Sequence, residues 1–146
     1  MILITGATGF LGKELIKRLY GNDAIRVVSR NEGKLIELKQ QYPTIEVVTG
    51  DISDPFIAKT ACNGVNEIYH LAAFKHVGLA ESQPYQCTLS NTIGTINLLE
   101  AFDGKRFLAV STDKAAQVAG VYGATKLLME RIITEFAKQY RRGSFH

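Results

Sequence analysis

A doubly wound α/β fold built on a parallel sheet is what this sequence predicts, on three observations. Short β-branched runs alternate with stretches of helical periodicity along the whole chain. The runs are close to continuously apolar, as strands are when helices cover both faces of a parallel sheet. The first of them leads straight into glycines spaced three apart, Gly6, Gly9 and Gly12, and an apolar helix-periodic stretch follows at once. Strand, glycine turn and helix N-terminus in that order form a phosphate cradle, because free backbone N–H groups and the positive end of the helix dipole face whatever sits over the turn.

The elements follow in order. Strands are expected at Ile2–Thr5, Ile25–Ser29, Glu46–Thr49, Glu67–Leu71 and Phe107–Ser111, each short and rich in Ile, Val or Leu. Helices are expected at Phe10–Tyr20, Glu32–Tyr42, Pro55–Cys62, Pro84–Phe102 and Ala124–Tyr140. Pro55 and Pro84 suit first-turn positions and Gly104 suits a helix stop. In the last helix Met129, Ile132, Ile133, Phe136, Ala137 and Tyr140 make one stripe, with Glu130, Arg131, Glu135 and Lys138 on the wet side. Right-handed crossovers then give about five strands in a Rossmann-like sheet, one domain over residues 1–146.

Composition narrows the function. A net charge of +3 without a basic run or basic–aromatic interleaving argues against nucleic acid. Arg141 and Arg142 read as a solvated helix terminus. Cys62 and Cys87 have no metal-type spacing and read as thiols in a reducing compartment, so no metal is expected. Met1 leads directly into a strand with no signal-peptide pattern, and no apolar stretch approaches membrane-spanning length. The expectation is a soluble cytoplasmic protein with no membrane partner.

Ligands of such sheets bind beyond the carboxyl ends of the strands. The second strand ends in Ser29 and Arg30, with Lys34 following. An acidic residue there would favour NAD through the ribose hydroxyls; a serine and a guanidinium suit a 2′-phosphate, so NADP is expected over NAD. After the third strand Asp51 can accept from an adenine amino group and Ile52 can pack on the ring. After the fourth, Ala72 and Ala73 allow close backbone approach. Tyr122 and Lys126 are four apart, hence one turn apart on one helix face. An ammonium beside a phenol stabilises the phenolate, which makes Tyr122 a proton donor or acceptor beside a carbonyl or alcohol carbon. Asp113 and Lys114 put opposite charges at one strand end, which suits paired acid and base work.

These residues together resemble a family. The motifs are Thr5-Gly-Ala-Thr-Gly-Phe-Leu-Gly12, Ser29-Arg30 with Lys34, Gly50-Asp51-Ile52, His70-Leu-Ala-Ala-Phe-Lys-His-Val77, Asn91-Thr-Ile-Gly-Thr95, Ser111-Thr-Asp-Lys-Ala115 and Val121-Tyr-Gly-Ala-Thr-Lys126. The chain is similar to the extended short-chain dehydrogenase/reductase superfamily, and within it to the inverting UDP-N-acetylglucosamine 4,6-dehydratases, or CapD-like polysaccharide biosynthesis proteins. The resemblance implies tightly held NADP, hydride leaving the sugar C4, loss of water across C5 and C6, and hydride returning at C6. It implies Tyr122 as base at the C4 hydroxyl, Lys126 tuning it and holding the nicotinamide ribose, Lys114 removing the C5 proton, Asp113 protonating the leaving hydroxyl and Thr112 assisting near C4. It places Lys75 and His76 near cofactor and sugar, and has Asn91 hold the site's backbone. The full expected cofactor set is Gly6, Thr8, Gly9, Phe10, Leu11, Gly12, Ser29, Arg30, Lys34, Asp51, Ile52, Ala72, Ala73, Lys75, Asn91, Tyr122 and Lys126.

Two departures accompany the resemblance. An Asn-Pro-x-Asn stretch usual before the tyrosine is replaced by Ala115-Ala-Gln-Val-Ala-Gly120. Family members also continue with further strands and a C-terminal region supplying most of the sugar-nucleotide pocket. The chain is therefore expected to be an N-terminal portion lacking that region, its open sheet edge needing cover from a homo-oligomer or a second chain. Three readings stay open: a dehydratase on a UDP-N-acetylhexosamine-type substrate, an NADP-binding module without turnover, and an NADP-dependent epimerase or reductase on another substrate.

Overall fold

The computed structural model of the chain describes residues 1–140, 144 and 145, with the side chains of 140, 144 and 145 outside that description. The Arg141-Arg142 pair and the Tyr140 side chain of the apolar stripe thus lie outside the described residues. The strands are β1 (Ile2–Thr5), β2 (Ile25–Ser29), β3 (Glu46–Thr49), β4 (Glu67–His70), β5 (Arg106–Ala109) and β6 (Ser144–Phe145). They form one sheet in the order β3-β2-β1-β4-β5-β6, and every pairing is parallel. The helices are α1 (Phe10–Leu19), α2 (Glu32–Gln41), α3 (Pro55–Cys62), α4 (Val77–Ser82), α5 (Pro84–Thr88), α6 (Gly94–Ala101) and α7 (Val121–Tyr140). A π-helical turn, Leu89–Ile93, joins α5 to α6, and a 3-10 turn, Asp113–Ala115, follows β5.

Period-two alternation along the strands divides the core between the two faces of the sheet. Ile2, Ile4, Ile25 and Val27 pack with Ile16 of α1 and Leu35 and Leu38 of α2. Leu3, Val28, Ile68 and Phe107 pack with α3, α6 and α7 through Ala58, Ala61, Leu98, Met129 and Ile133. The helices start where their residues cap them. Asn31 Oδ1 accepts from the Lys34 amide, and Asp54 Oδ1 accepts from the Phe56 amide ahead of Pro55 in the first turn. Among the described residues no helix is long and apolar enough to cross a membrane.

The structure changes the expected elements at four places. The stretch expected as one helix over Pro84–Phe102 holds a π turn in its middle. A further short helix, α4, follows His76. β5 begins and ends earlier than expected, leaving Ser111 beyond it, and α7 starts three residues sooner, at Val121. At the β5 edge, expected to be open, the chain returns after α7 and pairs Ser144 and Phe145 with Arg106 and Phe107. That cover is two residues long.

Candidate active site

The glycine turn sits at the carboxyl end of β1, the central strand. Gly6 has φ +67°, and a Cβ there would lie 2.6 Å from the Leu71 carbonyl carbon, so β1 and the exit of β4 approach as closely as only glycine permits. Gly9 begins α1 and donates to Gly6 O at 3.0 Å. No described side chain caps α1, and its first turn carries no acidic residue, which leaves its leading N–H groups open to an anion. Gly12 is buried, and its missing Cβ lets α1 lie on Gly6 O at what would otherwise be 2.5 Å.

Over the turn lies a cleft of about 260 Å³, lined by residues from the exits of all four of β1–β4. Of the expected cofactor residues, Gly6, Thr8, Gly9, Ser29, Arg30, Asp51, Ile52, Ala72, Ala73 and Lys75 line it. Thr5, Val28, Gly50, Leu71 and Ser90 line it too, and the sequence reading missed them. Arg30 and Asp51 meet across its mouth, Nη1 to Oδ2 at 3.3 Å, while Asp51 Oδ1 accepts from the Ser53 amide. The guanidinium keeps further donors free for a ligand oxygen. Ser29 Oγ accepts from the Asn31 amide.

The remaining expected cofactor residues stand outside the lining. Phe10 is 92% exposed and Leu11 is exposed on the first turn of α1, where their backbones rather than their side chains can serve a phosphate. Lys34 is exposed on α2. Asn91 is buried and faces the loop: its Oδ1 accepts from Phe74 N at 2.7 Å and its Nδ2 donates to Phe74 O at 3.0 Å. It clamps the Ala72–Lys75 segment and does not face the cleft. Ser90, its neighbour in the same π turn, lines the cleft.

A buried chain of hydrogen bonds ties the glycine turn to the helix of Tyr122. Thr95 Oγ1 donates to Asn91 O, so it accepts from His70 Nε2–H at 2.9 Å. That tautomer leaves His70 Nδ1 to accept from Thr5 Oγ1 at 2.7 Å, and Thr5 Oγ1 in turn accepts from the Leu71 and Ala72 amides. At the other end Asn91 Nδ2 donates to Thr125 Oγ1, which donates to Tyr122 O. Burial, helped by the charge of Lys126, pulls the His70 imidazole down to about 3, so it stays neutral.

Beyond β5, Thr112 Oγ1 donates to Asp113 Oδ1 at 3.0 Å and accepts from the Lys114 amide. Asp113 and Lys114 are exposed, and no ion pair ties either of them among the described residues. Ser111 Oγ is buried with no described hydrogen-bond partner. Tyr122 is half-buried in the first turn of α7. Lys126 stands four residues on from Tyr122 in the same helix. Its Nζ donates to Val110 O at 2.6 Å, and no described hydrogen bond joins it to Tyr122. The carbonyl just past the last β5 residue captures the ammonium, and burial drags the amine down to about 8 against a smaller opposing pull from Glu130. Because the sheet is parallel, the glycine turn, the Thr112–Lys114 segment and the start of α7 share one rim.

A larger groove, about 610 Å³, opens on the opposite rim between Lys59, Phe102 and Asp103. It sits at the carboxyl ends of α3 and α6, where the helix dipoles repel phosphate.

The strand order, the glycine turn ahead of α1 and the cleft beyond the strand exits define a Rossmann-like dinucleotide-type domain. Within that class the chain belongs to the polysaccharide biosynthesis protein family, which matches residues 2–145. It is 43% identical over 138 residues to an uncharacterized membrane protein of Methanocaldococcus jannaschii, covering 90% of this chain and 41% of that protein. It is 37% identical over 139 residues to a UDP-N-acetylglucosamine 4,6-dehydratase (inverting) of Campylobacter jejuni, covering 90% of this chain and 42% of the relative. The solved structure of Pen from Bacillus thuringiensis superimposes with a TM-score of 0.92 at 30% identity, over 99% of this chain and 47% of that one. The chain spans less than half the length of the curated relatives it matches.

Proposed function

We propose that this chain is the dinucleotide half of a sugar-nucleotide-modifying enzyme of the 4,6-dehydratase type. The observation that carries the reading is that one rim holds both a phosphate-sized cradle and the Thr112–Lys114 and Tyr122–Lys126 groups. The similarity to the Campylobacter jejuni dehydratase supports the reaction class. The cleft's lining suits a nicotinamide dinucleotide: the glycine turn leaves the α1 amides open, Val28 and Ile52 give an apolar floor for adenine, and Ser29 with Arg30 suits a 2′-phosphate, hence NADP. Its phosphates would rest on the α1 amides of Phe10, Leu11 and Gly12, with Lys75 at the rim and Lys34 as a further cation.

Bound there, the dinucleotide would accept a hydride from the sugar and later return it. The chain's own groups handle protons. Tyr122 takes the proton of the C4 hydroxyl, and the Lys126 ammonium, one helical turn away, favours the charged phenolate. Lys114, as the neutral amine, removes the C5 proton, and Asp113, in its protonated form, gives a proton to the departing C6 hydroxyl, which leaves as water. His76, exposed at the start of α4, lies next along the chain from Lys75 on the sugar side.

Incubation with UDP-N-acetylglucosamine and NADP, with detection of a 4-keto-6-deoxy sugar nucleotide, tests the reading. A second reading, dinucleotide binding without turnover, is favoured by the exposure of both Asp113 and Lys114. NADP binding without product at any protein concentration would establish it in place of the first, and a 4-epimer as product would replace the dehydratase by an epimerase.

A further inference from the structure

Glu81 is on α4, a helix with no counterpart in the expected elements, and its side chain reaches the start of α7. Its Oε1 accepts from the Val121 amide at 2.7 Å. Val121 opens α7, so this amide is one of the N-terminal donors without an intrahelical acceptor, and a carboxylate is the acceptor best matched to the positive end of a helix dipole. The neighbouring residue, Gly120, admits it: a Cβ there would collide with Glu81 Oε1. Three residues further on, a Cβ at Gly123 would collide with the Lys114 carbonyl. Tyr122 is thus bracketed by two close approaches, one from the carboxylate of α4 and one from the backbone of Lys114.

The segments joined by this contact are the two sides of the candidate site. α4 continues directly from Ala72, Ala73 and Lys75 at the cleft, and α7 carries Tyr122 and Lys126. The Asn91 clamp fixes the cleft-side backbone at Phe74, and Glu81 fixes the other end of that segment to the first turn of α7.

We infer that Glu81 is a positioning residue, whose carboxylate caps α7 and sets Tyr122 at its distance from the dinucleotide cleft. The inference deepens the reading of Tyr122 as the proton-handling group and rests on it. Glu81 touches neither cofactor nor substrate in this account; it acts through the helix terminus.

The test uses the full chain in three variants. Glu81→Ala removes the acceptor, Glu81→Gln keeps an oxygen that can accept, and Gly120→Ala keeps the carboxylate but pushes its Oε1 away from the position it holds. Hydrogen exchange of the Val121 amide and the ring signals of Tyr122 are followed by NMR. NADP affinity and the rate of UDP-N-acetylglucosamine conversion are measured alongside. In Glu81→Ala and Gly120→Ala the Val121 amide is expected to exchange at least tenfold faster and the Tyr122 ring signals to move. The turnover number should fall tenfold or more, with NADP affinity held within twofold. Glu81→Gln should stay within threefold of wild type on every readout. Unchanged Val121 exchange in Glu81→Ala overturns the inference, as does an unmoved Tyr122 ring or an unchanged turnover number once the cap is lost. Should Glu81→Ala fail to fold, Gly120→Ala carries the same expectations and the same refutations. If the wild-type chain makes no product, the functional reading fails by itself, and the exchange and ring-signal readouts alone decide whether Glu81 sets Tyr122.

Discussion

Acidification should strip stability from this chain through one side chain, His70. The imidazole is buried between Thr5 and Thr95 in its neutral form, with its folded-state pKa brought down to about 3 from 6.5. The unfolded chain takes up that proton near pH 6.5 and the folded chain does not. Below that point the unfolded state therefore binds more protons, and stability falls as pH falls until about pH 3. Each pH unit in this window is about 1.4 kcal/mol, so going from about pH 7.5 to about pH 5 removes about 2 kcal/mol through His70 alone. Urea unfolding of wild type and His70→Gln at both pH values isolates the effect, since the other titrating groups cancel in the double difference. The wild type should lose about 2 kcal/mol more than the variant over this interval. Equal losses in both proteins would refute the reasoning. So would imidazole nitrogen shifts that show a charged ring in the folded wild type at pH 5.

Three further outcomes follow from the geometry. Gly6→Ala forces a Cβ into backbone atoms of Leu71 and Ala72 at a positive φ, and should cost about 2 kcal/mol or more of unfolding free energy while weakening dinucleotide binding at least tenfold; a variant as stable as wild type by urea titration would contradict the close approach. Arg30→Ala should weaken NADP binding about ten- to a hundredfold and leave NAD within about twofold, because only NADP carries the phosphate the guanidinium would hold; equal losses in calorimetric titrations of the two would remove Arg30 from that role. Tyr122→Phe should abolish sugar-nucleotide turnover with the thermal midpoint within about 2 °C of wild type, since no described hydrogen bond holds the phenol; surviving turnover would take Tyr122 out of the mechanism.

Much of this was readable in the sequence where the signal is local. The glycines, the apolar strands and the amphipathic α7 follow from steric and burial patterns that span a few residues, and the strand exits then place Ser29, Arg30, Asp51 and Ala72 at one cleft by topology alone. What escaped depends on partners far along the chain. The Thr5–His70 hydrogen bond spans 65 residues, and the Arg30–Asp51 pair spans 21; neither leaves a local pattern. α4 buries only Ala80, so Val77 and Leu79 look like loop residues when read by periodicity. The π turn inserts one residue into a helical pattern that a 3.6-residue period averages away, and Ser90 at the cleft escaped notice. The spacing puts Lys126 one turn from Tyr122 but says nothing of its own hydrogen bonds. Its bond to a carbonyl beyond β5 is one that no helical spacing encodes.

The central claim is that the α1 glycine turn holds the phosphates of an adenine dinucleotide on the rim that carries Tyr122. An amide-resolved NMR titration with NADP tests it most directly. The account predicts saturable shifts centred on the amides of residues 6–12, extending to Arg30, Asp51 and Lys75, with NADP saturating at lower concentration than NAD. Saturable shifts confined to the opposite groove around Lys59 and Phe102, or no saturable shift at all, would contradict it.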